Sequence, residues 1–135
     1  MYYDFAVTVT AGKTEAAPVV EILKLTAGII HRVEMEFPAG CRGYVYCKLF
    51  HQEHQVWPTN PQGTFRGEGY IIPIPEYYAL TTAPYSLKAV AWSRDATHNH
   101  TLRVRVGLLT EEELEPLIEL PAQFQKFFKL LGANV

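Results

Sequence analysis

Between Tyr3 and Leu108, apolar side chains recur at every second position in one short segment after another, and that rhythm admits few folds. A period of two is the mark of a half-buried strand. Tyr3, Phe5, Val7 and Val9 alternate with Asp4, Ala6, Thr8 and Thr10, and Leu102, Val104, Val106 and Leu108 alternate with Arg103 and Arg105. The stretch Gly28 to Phe50 reads as two such strands. Ile29, His31, Val33, Met35 and Phe37 share one side of the first, with Arg32, Glu34 and Glu36 on the other, while Val45, Cys47 and Leu49 share a side of the second. Pro38-Ala39-Gly40 and Gly43 between them carry the restricted and permissive φ of a reversal, which predicts a hairpin. An isolated hairpin is marginal, so its apolar face demands a second layer.

The rest of the chain supplies that layer. Val19 to Leu25 is a further strand, with Val20 and Ile22 on one side and Val19, Glu21, Leu23 and Leu25 on the other. HQEHQVWPTNPQGTF reads as a loop, Phe65 to Ile74 as an edge or bulged strand because of its two glycines and proline, and Glu76 to Ala83 as a connector. Pro84-Tyr85 opens a strand through Leu87, Ala89 and Ala91 to Trp92, followed by a polar turn from Ser93 to Asn99. At Thr110 the period changes. Thr110 to Glu113 forms a capping box, Leu114, Leu117 and Ile118 form a short apolar stripe, and Pro121 interrupts it. A second amphipathic run from Ala122 to Leu131 carries Phe124, Phe127 and Phe128, with Lys126 and Lys129 on its polar side and Gly132 at its end. These signals predict an all-β antiparallel sandwich or jelly roll of about seven or eight strands over residues 1–109 and a helical tail over 110–135. The aromatic face of that tail either folds across an open end of the sandwich or lies on a neighbouring subunit.

Length and charge narrow the function. A chain of 135 residues suits one domain with its own core. Twelve Lys and Arg against fourteen Asp and Glu, without basic runs, speak against nucleic acid as a partner. The sequence has no apolar run of membrane-spanning length, and MYYDFAVTVT lacks the basic start and apolar run of a signal peptide, so the reading is a soluble protein made in the cytoplasm. Cys41 and Cys47 are expected to be thiols, because a bridge between a turn and the inner face of the next strand would distort both.

Candidate chemistry is thin. His98-Asn99-His100 puts two imidazoles on one strand face, with His51 and His54 in a loop that could approach them and His31 as a core or interface histidine. Cupin-type enzymes pair such a His-x-His with a nearby carboxylate, but the next acidic residue here is Glu111, beyond an entire strand. No metal, cofactor or catalytic group is expected. Cys47 alternates with core residues, and Ser86 and Ser93 sit in no nucleophile elbow. Glu34 and Glu36 are expected to meet Arg103 and Arg105 across adjacent strands.

Aromatic residues make up 13% of the chain, and they supply the remaining signal. Tyr44 and Tyr46 fall opposite the expected core, beside Phe50, where an exposed strip would serve a subunit interface or sugar stacking. Gln52, Gln55 and Asn60 near Trp57 support the sugar alternative. In order, AGIIHRVEMEFPAGC, HQVWPTNPQGTFRGEGY, a Pro-Tyr strand and HNHTLRVRVGLL resemble small β-sandwich virion structural proteins of tailed phages, over Leu25 to Leu109. The resemblance implies a capsid decoration protein or other virion-surface component, located on the particle after synthesis in the host cytoplasm. It would work by homo-oligomeric assembly, with a trimer among the expected states, and would bind the major capsid protein or another virion protein without turnover. Interface anchors would be Tyr2, Tyr3, Tyr44, Tyr46, Trp57, Phe124, Phe127 and Phe128. The alternatives are a carbohydrate-binding or adhesive module built around Trp57, and a cupin-like metalloenzyme using His98 and His100.

Overall fold

The alternating segments assemble into two antiparallel sheets packed face to face, as seen in a computed structural model that describes residues 1–114 and 129–130. The strands are β1 (Tyr2–Val9), β2 (Val19–Lys24), β3 (Gly28–Phe37), β4 (Val45–His51), β5 (His54–Trp57), β6 (Tyr70–Ile74), β7 (Tyr78–Leu80), β8 (Ser86–Ser93) and β9 (His100–Leu109). One sheet has the order β1-β9-β3-β6, with β7 also pairing β3, and the other has the order β2-β8-β4-β5. The pairing is nested. β1 pairs the last strand, β2 pairs β8, β3 pairs β6 and β7, and β4 pairs its immediate successor β5.

Between the sheets lie the residues that the period of two marks as apolar. Val7, Val9, Val33, Met35, Phe37, Leu102, Val104, Val106 and Leu108 come from the five-stranded sheet, and Leu23, Val45, Cys47, Leu49, Leu87, Ala89 and Ala91 come from the four-stranded one. At roughly 25 cal/mol per Å² of apolar area, this inner layer is the main source of stability. Ala89 and Ala91 keep the inner side of β8 slender where β1 packs across the gap.

Gly28 to Phe50 does not form the expected hairpin. β3 and β4 belong to different sheets, and residues 38–44 carry the chain across the gap of about 10 Å that separates packed sheets. Alternation alone cannot tell two strands that share a sheet from two that face each other, because both bury every second residue. The arch has its own fastening. Glu68 accepts hydrogen bonds from the amides of Gly40 and Arg42, Tyr44 donates its amide to the Cys41 carbonyl at 2.8 Å, and Arg66 Nε reaches the Gly43 carbonyl at 2.8 Å. Arg42 sits at φ +51° and Gly43 at φ +70°, two successive left-handed residues that turn the chain toward the second sheet.

Three further differences have local causes. The expected loop after His51 contains β5, and the expected connector contains β7, both too short to show a period. A register shift in the β3–β9 pairing between Ile30 and Arg32 puts Ile30 in the core and places the His31 ring against Gly107 on the outer side. The segment Phe65 to Ile74 is split: Phe65 pairs Cys47 in one sheet, while β6 pairs β3 in the other. At the C-terminus, α1 (Glu111–Leu114) begins with the expected capping box, the Glu113 amide donating to Thr110 Oγ1 at 3.3 Å. Apart from exposed Lys129 and Leu130, the rest of the expected tail, including Phe124, Phe127 and Phe128, lies outside the described residues. Among the described residues, no helix is long and apolar enough to cross a membrane.

The two arch amides hold the Glu68 carboxyl below its ordinary range. A depressed folded value means that its contribution is complete above the unfolded carboxyl pKa of about 4.3 and is lost as pH falls through the folded one. Glu68→Gln, which mimics the protonated acid, is therefore expected to lower Tm at pH 7 and to melt with wild type at pH 2. A gap in Tm that is constant from pH 7 to pH 2 would reject the charge-dependent arch.

Candidate functional site

The outer face of the five-stranded sheet is mostly charged, with Ile71 also exposed on its outermost strand β6. On the five-stranded sheet, register places Glu34 opposite Arg105 and Glu36 opposite Arg103, so the expected cross-strand matching occurs. Arg105 Nη2 donates to Glu36 at 2.9 Å and its Nε lies 3.8 Å from Asp4, while Arg103 lies 3.7 Å from Asp4 and Arg32 3.4 Å from Glu34. The Tyr2 hydroxyl donates to Glu34 and draws its carboxyl down, and the Glu36 hydrogen bond raises Arg105. Exposed pairs of this kind contribute about 0–1 kcal/mol each. Their effect is to neutralise the face where it stands.

The four-stranded sheet turns a different surface outward. Register sets Val20 beside Val90, Ile22 beside Lys88, Val90 beside Lys48, Lys88 beside Phe50 and Trp92 beside Tyr46, all on the face opposite the core. Val20 and Ile22 are each 51% exposed on β2, an outermost strand of the sheet. Lys88 lies over the Phe50 ring and bridges to Glu53 at 3.5 Å, and Lys48 Nζ donates to the Pro61 carbonyl at 3.1 Å. One end of this face is apolar along the β2 edge, and the other is aromatic.

At the aromatic end a groove of about 780 Å³ opens between three loops. Tyr46 and Trp92 both line it, their rings stacked on each other, parallel within 9° at 5.6 Å. The loop after β1 contributes Thr14 and Glu15, the loop after β5 contributes Gln62, and the loop after β8 contributes Arg94. Gln55 explains the position of the middle loop: its side-chain amide donates to the carbonyls of Pro58 at 2.7 Å and Asn60 at 3.0 Å. Arg66 lies over the Tyr46 ring, and Arg94 over that of Tyr44. A hydrogen bond with Tyr46 pushes the Arg94 guanidinium up.

No protein-family model matches this chain, and no curated protein matches it. The surfaces must be read from their own residues.

The expected interface residues scatter. Tyr44 is exposed and Tyr46 half-buried, at the groove end of the four-stranded sheet. Tyr2 is exposed on the opposite, charged face, and Tyr3 is half-buried, stacked on Phe5 against the core. Trp57 is neither an interface anchor nor a sugar platform. It is 2% exposed, donates from Nε1 to Glu76 at 2.8 Å and packs edge-on to Tyr78. The Val56-Trp57 end of β5 turns into the core, which a loop assignment cannot foresee.

The histidines do not gather. His51 Nδ1 lies 2.9 Å from the Tyr78 hydroxyl at one end of β4, while His98 and His100 share Asp95 near Tyr44 at the other. Asp95 is held well below the usual carboxylate range by the Thr97 amide, the His100 ring and the Thr97 hydroxyl. It organises the β8–β9 turn. Among the described residues, no cluster of three or more metal-ligating side chains occurs. Both cysteines are free and buried, and burial pushes Cys41 up to about 11 and Cys47 up to about 12, so neither is a thiolate at neutral pH.

Sequence reasoning missed Trp92 as part of the groove lining and Val20 and Ile22 as exposed apolar residues. The signal was present for Trp92, since Leu87, Ala89 and Ala91 inward leave it outward. Trp57→Ala is expected to cost about 3–5 kcal/mol of stability in urea denaturation, the usual range for emptying a buried aromatic site. A loss under about 1 kcal/mol would contradict its placement.

Proposed function

We propose that the protein is a virion structural component of a tailed phage, a jelly roll that acts by homo-oligomeric assembly on the particle surface as a capsid decoration or stabilising protein. The observation that carries the reading is the apolar outer side of β2. It leaves Val20 and Ile22 half in water on an outermost strand, with Val20 beside Val90, a surface that a neighbouring protein would cover with gain. Outermost strands also present backbone donors and acceptors along one side, which suits β2 to alignment with a second copy.

The nested strand pairing supports the jelly-roll part of the proposal, since first-with-last pairing is that of a double Greek key, an architecture used by capsid and lectin domains. The sequence resemblance to phage β-sandwich proteins supports the virion part. Its expected partners are further copies of itself and the major capsid protein or another virion protein, with neither nucleic acid nor membrane engaged and no reaction catalysed.

Native mass spectrometry of wild type and Ile22→Lys tests this directly. Wild type is expected as a symmetric oligomer, a trimer among the fitting states, and the variant as a species whose subunit dissociation constant has risen at least tenfold, with an unchanged circular dichroism spectrum. A wild-type monomer at tens of micromolar that also fails to co-sediment with assembled phage shells would overturn the proposal.

A further inference from the structure

We propose that the groove over Tyr46 and Trp92 is a binding site for the end of a neutral oligosaccharide. The inference goes beyond assembly and uses different residues, since the groove lies at the opposite end of the sheet face from Ile22.

The chemistry of the lining points to a polyhydroxylated ligand. The stacked pair of Tyr46 and Trp92 gives an apolar wall for the C–H groups of a sugar, and the three loops bring a hydroxyl from Thr14, a carboxylate from Glu15, an amide from Gln62 and a guanidinium from Arg94 around it. Each sugar hydroxyl both donates and accepts. Glu15 can only accept, Arg94 can only donate, and Thr14 and Gln62 do both, so the set can satisfy adjacent hydroxyls in either sense. Arg94 is held beside the groove by its seat over the Tyr44 ring. Glu15 and Arg94 carry opposite charges into one groove, which favours a neutral ligand over an anionic one.

Depth decides how the sugar would lie. Trp92 is only 8% exposed, and Arg66 covers part of the Tyr46 ring at 4.8 Å. A long polymer lying flat on a ring face has no platform here. A chain end or branch entering the groove instead meets the aromatic pair and the polar side chains of the three loops together. The volume of about 780 Å³ falls within the roughly 300–1,000 Å³ of ordinary small-molecule sites, enough for a short oligosaccharide.

The test is an array of neutral, sialylated and sulfated oligosaccharides probed with the full chain, followed by calorimetric titration of the strongest hit. Neutral glycans are expected to bind, with Gln62→Ala and Glu15→Gln each weakening Kd about tenfold, the effect of losing one or two good hydrogen bonds. Both positions are exposed, so folding is expected to persist, and circular dichroism checks it. In Trp57→Phe, which leaves Trp92 as the sole tryptophan, the same sugar is expected to shift the emission spectrum. Ile22→Lys is expected to bind as wild type does, which separates this proposal from the assembly reading. An array without neutral hits, a preference for acidic glycans, or titrations indifferent to both groove variants would overturn it.

Discussion

Everything in this molecule depends on the mutual burial of two apolar sheet faces. Each sheet has one side that is apolar along nearly its whole extent, and neither sheet can hide that side except against the other. The connections follow from this requirement: the chain changes sheets between β1 and β2, β2 and β3, β3 and β4, β5 and β6, β7 and β8, and β8 and β9. The arch at residues 38–44 is the clearest instance. It takes Phe37 out of one inner face and delivers Val45 into the other, and Glu68, from a distant loop, clasps its backbone.

Inner faces were legible in the sequence because the period of two reports burial directly. Leu102 to Leu108, Tyr3 to Val9 and Leu87 to Ala91 all fall where alternation puts them. What alternation does not contain is partner identity. The Pro38 to Gly43 segment has the composition of a hairpin turn and serves as a crossover, since proline and glycine specify a change of direction without specifying the layer that receives the chain. His31 was misplaced by a single-residue irregularity in register, enough to reverse the side of a strand. Trp57 was misread because a strand of four residues, His54–Trp57, is too short to declare a period among prolines, asparagine and glycine.

The outer faces are harder to read, and for a reason of physics. A buried position tolerates only a few residue types, whereas an outward one accepts nearly all of them. The charged face could still be anticipated, because complementary charges on neighbouring strands constrain each other. The face bearing Val20, Ile22, Phe50 and Trp92 could not, because its meaning lies in adjacency across β2, β8 and β4, and adjacency is what the linear chain conceals. The same holds for the groove, whose lining residues come from segments up to some eighty positions apart and meet only when three loops converge.

Nested pairing also orders events in time. β1 has no partner until β9 has left the ribosome, so Tyr3, Phe5, Val7 and Val9 must wait through the synthesis of the whole sandwich, while β4 and β5 can join as soon as both exist. Closing the most distant pair last is entropically slow. During that interval an apolar strand is without its sheet. A sandwich that joins its first and last strands in one pair thus exposes the first to the longest search, and a neighbouring nascent copy presents the same unfilled place beside β9.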